Sequence, residues 1–134
     1  MIKVILLIFM IFFHIWDDFG RQGILALMKQ KSWWEEQKDY KNMYKNDYII
    51  ALLVHGFSWT VMIHIPIIFY YLYMSYEINI IHFIGHIIIF ISTWILHCYI
   101  DDTKCNQHKI NLIIDQTCHL IQIIALYFIV IYFG

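Results

Sequence analysis

The sequence has few charged residues. Only 14% of its 134 residues are Asp, Glu, Lys or Arg, and 61% are hydrophobic, whereas a typical soluble domain has about 25% charged residues. A chain of this length forms one compact unit and could not bury so much apolar surface in water. There is no basic or acidic block, and the net charge of −1 gives no sign of a nucleic-acid partner. We therefore expect an integral membrane protein whose main partner is the lipid bilayer.

The sequence is also poor in residues that break or cross-link a chain. One proline and five glycines leave no linker or low-complexity tract. The three cysteines, Cys98, Cys105 and Cys118, have no CxxC or disulfide-pair spacing, so we expect free thiols.

Four apolar segments remain, at residues 4–28, 48–74, 80–100 and 110–133. Each is close to the ~20 residues that cross a ~30 Å hydrocarbon core. In hydrocarbon the backbone must bond to itself, so these segments should be helices. The predicted fold class is all-α: one four-helix transmembrane bundle over residues 1–134.

Residues 29–47 form the only long polar stretch. Side chains suited to the membrane interface recur in it at helical spacing: Trp33, Gln37, Tyr40, Tyr44 and Tyr48. The pattern predicts an amphipathic helix in the headgroup zone. A polar loop with anchoring tryptophans is an equally open alternative.

The first apolar segment is unusual because its uninterrupted part, residues 4–16, is too short to span a membrane. Ionisable residues that follow it at membrane depth should face the protein interior. Gly20 and Gly23 allow either a close helix approach or a break. The polar residues of this stretch are Asp17, Asp18, Arg21 and Gln22.

The basic residues predict the orientation. If the four segments alternate in direction, eight of the nine Lys and Arg residues lie on one side and Lys3 on the other. The positive-inside rule places that side in the cytoplasm, with both termini outside.

Histidine and aspartate recur at steps of four along three segments, which puts them on one helix face. In an up-down bundle these faces meet at one end, close to the lysine-rich side. The first segment carries His14, Asp18 and Gln22, the third carries His97, Asp101 and Lys104, and the fourth carries Asp115, His119 and Gln122. The second segment adds a single histidine, His55.

These side chains predict a metal site. The candidate ligands are His14, Asp18, His55, His97, Asp101, Asp115 and His119. Seven ligands exceed what one tetrahedral ion takes, and they suit one or two divalent ions, the pair lying ~3.5–4 Å apart. Mixed imidazole and carboxylate favours Zn, Mn or Fe over Mg or Ca. Gln22, Gln116 and Gln122 could orient the ligands from a second layer. The alternative is that His/Asp pairs only hold the helices together by hydrogen bonds.

The motifs HIWDDFGRQ (14–22), ALLVHGFSW (51–59), HCYIDDTK (97–104) and DQTCH (115–119) carry a family resemblance. The chain resembles a family of small bacterial and phage integral-membrane proteins of unknown function, whose pattern is HxxxDxxxQ, a histidine early in the second helix, Hxx[IV]DxxK and DQxxH. The resemblance covers nearly the whole chain. This sequence departs from the family pattern at Gly20-Arg21, where relatives tend to have an apolar residue. The family resemblance implies that the membrane is the bacterial inner membrane. A looser likeness is to LexA-regulated membrane-bound metal-dependent hydrolases, which implies hydrolysis.

Three functions are compatible with these features. The first is a metal-dependent hydrolase of a phosphoester, on a lipid headgroup or a nucleotide, in which Asp101 or Asp115 takes a proton and Lys104, with Arg21, stabilises an anionic oxygen. The second is an ion or proton transporter, which with so few helices would act as a homo-oligomer. The third is a non-enzymatic phage or bacterial protein that binds partners through residues 33–48 and keeps a structural metal.

Overall fold

A computed structural model describes residues 1–38, 43–75 and 79–133. Every regular element in these ranges is helical, which confirms the predicted all-α class. The elements are α1 (Ile2–Ile15), a π-helical segment (Trp16–Arg21), α2 (Leu25–Met28), α3 (Lys31–Glu35), α4 (Asp47–Tyr73), α5 (Ile80–Cys105) and α6 (Leu112–Phe133).

Helices α4, α5 and α6 are long and apolar enough to cross a membrane. Their outer faces carry exposed Ile, Leu and Phe side chains, as lipid-facing helices do. Their many β-branched residues do not prevent helix formation, because the internal hydrogen bonds of a helix are required wherever water is absent.

The first apolar segment is not the single helix predicted over residues 4–28. Helix α1 has 14 residues, so its length is about 21 Å, short of the ~30 Å core. The chain continues through the π-helical segment and then turns at Gly23, whose φ is +49°. Only glycine adopts this left-handed conformation without strain, so the helix breaks there and α2 begins two residues later.

The connection between α1 and α4 also differs from the predicted amphipathic helix. Within the described part of residues 29–47, α-helix is limited to the five residues of α3; Tyr40 lies outside the described residues. Trp34 is buried, and its indole Nε1 donates to the Met28 carbonyl at 2.6 Å. Asn106, at the end of α5, donates to the Lys29 carbonyl (3.1 Å) and accepts from the Lys31 amide (2.7 Å). Residues 25–35, here called the cover segment, are therefore tied to the end of α5.

The four longest helices pack side by side: α1 contacts α4 and α6, and α5 contacts α4 and α6. An apolar core fills the interior between α1, α4 and α6, formed by Leu6, Met10, Trp59, Ile63, Ile67, Tyr70, Tyr71, Ile123, Leu126 and Val130. Polar side chains gather beyond this core, late in α1 and α5 and early in α4 and α6. The packing thus brings four separate parts of the chain to one end of the molecule.

Candidate metal centre

All seven side chains predicted as metal ligands are buried at this end. Asp18 is 9% exposed and the others 2% or less. Burying this many histidines and carboxylates is costly unless they are paired or bind an ion. They are His14, Asp18, His55, His97, Asp101, Asp115 and His119.

The first ligand group surrounds His55, on α4. Its Nε2 lies 3.3 Å from Asp18 Oδ1, 3.3 Å from Asp101 Oδ2 and 3.3 Å from His97 Nε2. In a tetrahedral zinc site with bonds of ~2.0–2.1 Å, neighbouring ligand atoms are about 3.3 Å apart. The distance from His97 Nε2 to Asp101 Oδ2 is somewhat longer, 3.9 Å. The three distances from His55 Nε2 therefore match the spacing of neighbouring ligand atoms on one zinc ion.

The second ligand group surrounds His119, on α6. Its Nε2 lies 3.4 Å from Asp101 Oδ1 and 3.5 Å from Asp115 Oδ1. All three atoms are buried and have no hydrogen-bond partner among the described residues. Each unsatisfied buried polar atom costs about 1–3 kcal/mol, and one cation between them would satisfy all three. Buried His/Asp groups of this structure could thus hold a metal ion.

Two carboxylates connect the ligand groups. Asp101 directs Oδ2 to His55 and Oδ1 to His119. Asp18 directs Oδ1 to His55, and it also belongs to a set with Asp115 and His119 whose ligand atoms lie within 4.8 Å of one another. A carboxylate with its two oxygens turned to different histidines could contribute one oxygen to each of two ligand groups.

His14 lies beside these groups. Its Nδ1 accepts a hydrogen bond of 2.8 Å from the indole Nε1 of Trp59, and its ring centroid is 5.8 Å from that of His119. It belongs to none of the three ligand sets found among the described residues.

Two of the predicted glutamines contact the site. Gln22 donates to Asp18 Oδ1 at 2.8 Å, and Gln116 donates to Asp18 Oδ2 at 2.7 Å and to Asp115 Oδ2 at 3.1 Å. Gln122 instead donates to the Thr93 carbonyl at 2.7 Å. Gln22 and Gln116 thus hold the Asp18 carboxylate from both sides.

Two lysines pair with candidate ligands. Lys104 Nζ is 2.6 Å from Asp115 Oδ2, and Lys29 Nζ is 2.6 Å from Asp101 Oδ2. The side chain of Lys104 is 26% exposed, that of Lys29 only 4%. Sequence reasoning missed Lys29 because a lysine at the end of an apolar segment usually extends toward the headgroups. Arg21 is exposed and contacts Met62 Sδ at 3.8 Å.

Trp59 and Asp17 also belong to the site and were not predicted. The Trp59 ring stacks on His97, with centroids 4.1 Å apart and planes 18° apart. Asp17 accepts from Ser58 at 2.8 Å, and its Oδ2 lies 4.0 Å from His55 Nδ1. At 4.0 Å Asp17 makes no hydrogen bond to the imidazole, and its Oδ2 has no hydrogen-bond partner among the described residues. The available signal for Trp59 was its position four residues after His55, on the same helix face.

The cysteines are free thiols, as predicted. Cys98 is buried between α4 and α5, where its Sγ lies 3.6 Å from the Leu52 carbonyl oxygen.

No protein-family model matches the chain, and neither a curated protein nor a solved structure shows significant similarity to it. The family resemblance drawn from its motifs therefore stays a prediction, and the functional argument depends on the geometry of the site.

Proposed function

We propose that this chain is a membrane-embedded, metal-dependent hydrolase that acts on a phosphoester. The observation that carries the proposal is the set of buried, converging ligand atoms, three of which (Asp101 Oδ1, Asp115 Oδ1 and His119 Nε2) have no hydrogen-bond partner among the described residues. A charge-assisted hydrogen bond is about 2.7–2.9 Å long, whereas His119 Nε2 lies 3.4 Å from Asp101 Oδ1 and 3.5 Å from Asp115 Oδ1. These longer distances match the spacing of ligand atoms on one metal ion.

The proposal assigns two ions, of Zn or of Mn or Fe, because imidazole and carboxylate are mixed. One ion would be held by Asp18, His55 and His97, whose ligand atoms form one set, with Asp101 Oδ2 3.3 Å from His55 Nε2. The other would be held at His119, whose Nε2 lies 3.4 Å from Asp101 Oδ1 and 3.5 Å from Asp115 Oδ1. Such ions supply Lewis acidity and a nucleophilic water at neutral pH.

The protein side chains then have separate roles. Asp101 faces both ligand groups and Lys29, so it is fully engaged. Asp115 is the better proton acceptor, because it faces a single histidine of the site, His119, and its lysine partner, Lys104, is the more exposed one. Lys104 is the more exposed of the two lysines and would hold an anionic phosphoryl oxygen.

We further propose that α1 and the π-helical segment complete a four-helix transmembrane bundle with α4, α5 and α6. The positive-inside rule then puts the centre near the cytoplasmic face of a bacterial inner membrane, with both termini outside. A substrate at this face would be a phosphorylated lipid or a nucleotide. The apolar core beyond the centre argues against transport, because an ion path needs polar groups along its length.

The test starts with elemental analysis of detergent-purified protein after extensive dialysis, followed by a panel of phosphoesters with added Zn, Mn or Fe. We expect bound metal and metal-dependent turnover, both lost in His97→Ala. The control is His108→Asn, which changes an exposed histidine with φ +52° to a residue that tolerates this conformation. Equal turnover in wild type and His97→Ala would refute the hydrolase, and metal binding without turnover would favour a structural ion.

A further inference from the structure

The buried charges of the metal centre do not balance. Four carboxylates lie in it, and two ammonium groups pair with two of them, which leaves two uncompensated negative charges when the histidines are neutral, as metal ligation requires. The carboxylates are Asp17, Asp18, Asp101 and Asp115, and the ammonium groups are those of Lys29 and Lys104.

Two divalent ions would reverse this balance. One ion neutralises the centre, whereas two ions leave two positive charges that must be compensated by an anion. Because Asp101 turns an oxygen to each ligand group, the two-ion state is the one that the proposed function uses. We propose that the group bound by this centre is a phosphomonoester dianion, and not a phosphodiester monoanion. This inference rests on the two-ion centre of the proposed function.

The two lysines supply the contacts that such a dianion needs. Lys29 Nζ is bonded to Asp101 and Lys104 Nζ to Asp115, each at 2.6 Å. An ammonium group has three N–H donors, so each lysine can hold its carboxylate and a phosphoryl oxygen together. Once ions share the charge of Asp101 and Asp115, both lysines become free to attract a second anion.

The structure also indicates the direction of access. Lys29 is 3% exposed and belongs to the cover segment, which Asn106 fastens to the end of α5. Lys104 has a 26% exposed side chain, and the neighbouring Gln116 is partly exposed. The dianion would thus enter beside Lys104 and end against Lys29, which is the positive charge farthest from solvent.

A phosphomonoester carries nearly two negative charges at neutral pH, since its second pKa is about 6, whereas a diester carries one. The decisive experiment is calorimetric titration of the metal-loaded protein at pH 8 with inorganic phosphate and with dimethyl phosphate. We expect phosphate to bind at least tenfold more tightly than dimethyl phosphate.

Substitution of the deeper lysine tests the charge argument directly. Lys29→Met should weaken phosphate binding at least tenfold while leaving dimethyl phosphate within about threefold, and Lys29→Arg should restore phosphate binding. Lys31→Met is the matched control, because Lys31 is an exposed lysine of the same segment, and it should change neither. Metal content is measured in every variant; if Lys29→Met fails to fold or loses metal, Lys104→Met is tested with the same expectation.

The inference is overturned if both anions bind equally, if the lysine variant weakens both alike, or if the loaded protein holds one ion. Its failure and that of the proposed function can be told apart. Selective phosphate binding without turnover would refute only the hydrolase proposal. Turnover of diesters, with no preference for binding phosphate, would refute only the inference that the centre binds a dianion.

Discussion

Gly56 sets how closely α4 approaches α5, and replacing it with alanine should distort the proposed metal centre. A Cβ atom there would collide with Cys98 Sγ and would lie 3.2 Å from Trp94 Cδ1 and 3.5 Å from His97 Cδ2. Ordinary contacts are about 3.5–4.0 Å, so Cys98 must leave its place against Leu52 or α5 must move away. Overpacking of this kind costs about 1–3 kcal/mol.

The effect on metal binding should exceed the effect on stability. Gly56 follows His55 in sequence and contacts α5 beside His97, so a shift between the two helices separates two ligands of one group. Metal-to-ligand distances tolerate only about ±0.2 Å. We therefore expect metal affinity to fall about 10–100-fold, the range found when ligand support is lost.

The assay is metal titration, with thermal unfolding in detergent alongside. Gly85→Ala is the matched control, since a Cβ there meets nothing within 4 Å, and it should leave affinity unchanged. Cys98→Ala removes the colliding sulfur, so adding it to Gly56→Ala should recover much of the lost affinity. Wild-type affinity and stability in Gly56→Ala alone would refute the idea that this close approach positions the two histidines.

Three further outcomes follow from the structure. In metal-free protein, Lys29→Met and Asp101→Asn should each lower the free energy of unfolding by about 3–5 kcal/mol, because each leaves a buried charge without its partner. The double variant should lose much less stability than the sum of the two single variants. Additive losses would show that Lys29 and Asp101 do not interact. Trp34→Ala should speed hydrogen exchange of the cover segment far more than Trp33→Ala, because only Trp34 is buried; equal exchange would mean that Trp34 does not anchor it. Trp59→Leu removes the ring that stacks on His97, so metal affinity should fall about 10–100-fold, measured by titration; an unchanged value would exclude an orienting role.

The helical class could be predicted from the sequence, because this class follows from local requirements of the backbone. Long apolar runs must form their own backbone hydrogen bonds wherever they meet lipid, and this holds whatever the neighbouring helices do. The clustered His/Asp residues could be predicted too, since steps of four place side chains on one face and alternating helix direction brings those faces to one end.

The path of the first segment was not predictable in this way. Gly20 and Gly23 both permitted a break, and nothing local distinguished them. In the structure Gly23 takes the left-handed turn, after a π-helical segment that buries both Asp17 and Asp18.

The sequence alone thus determined the helical class, three of the four apolar spans and the candidate ligands, because these depend on the length of apolar runs and on spacing along single helices. Only the tertiary structure decided that Lys29 reaches Asp101, that Trp59 stacks on His97 and that Asp17 lies behind His55. These contacts join residues far apart in the chain, and they depend on how closely the helices pack and where the cover segment turns back. The separation of two residues in the sequence predicts neither how closely two helices pack nor where the cover segment turns back.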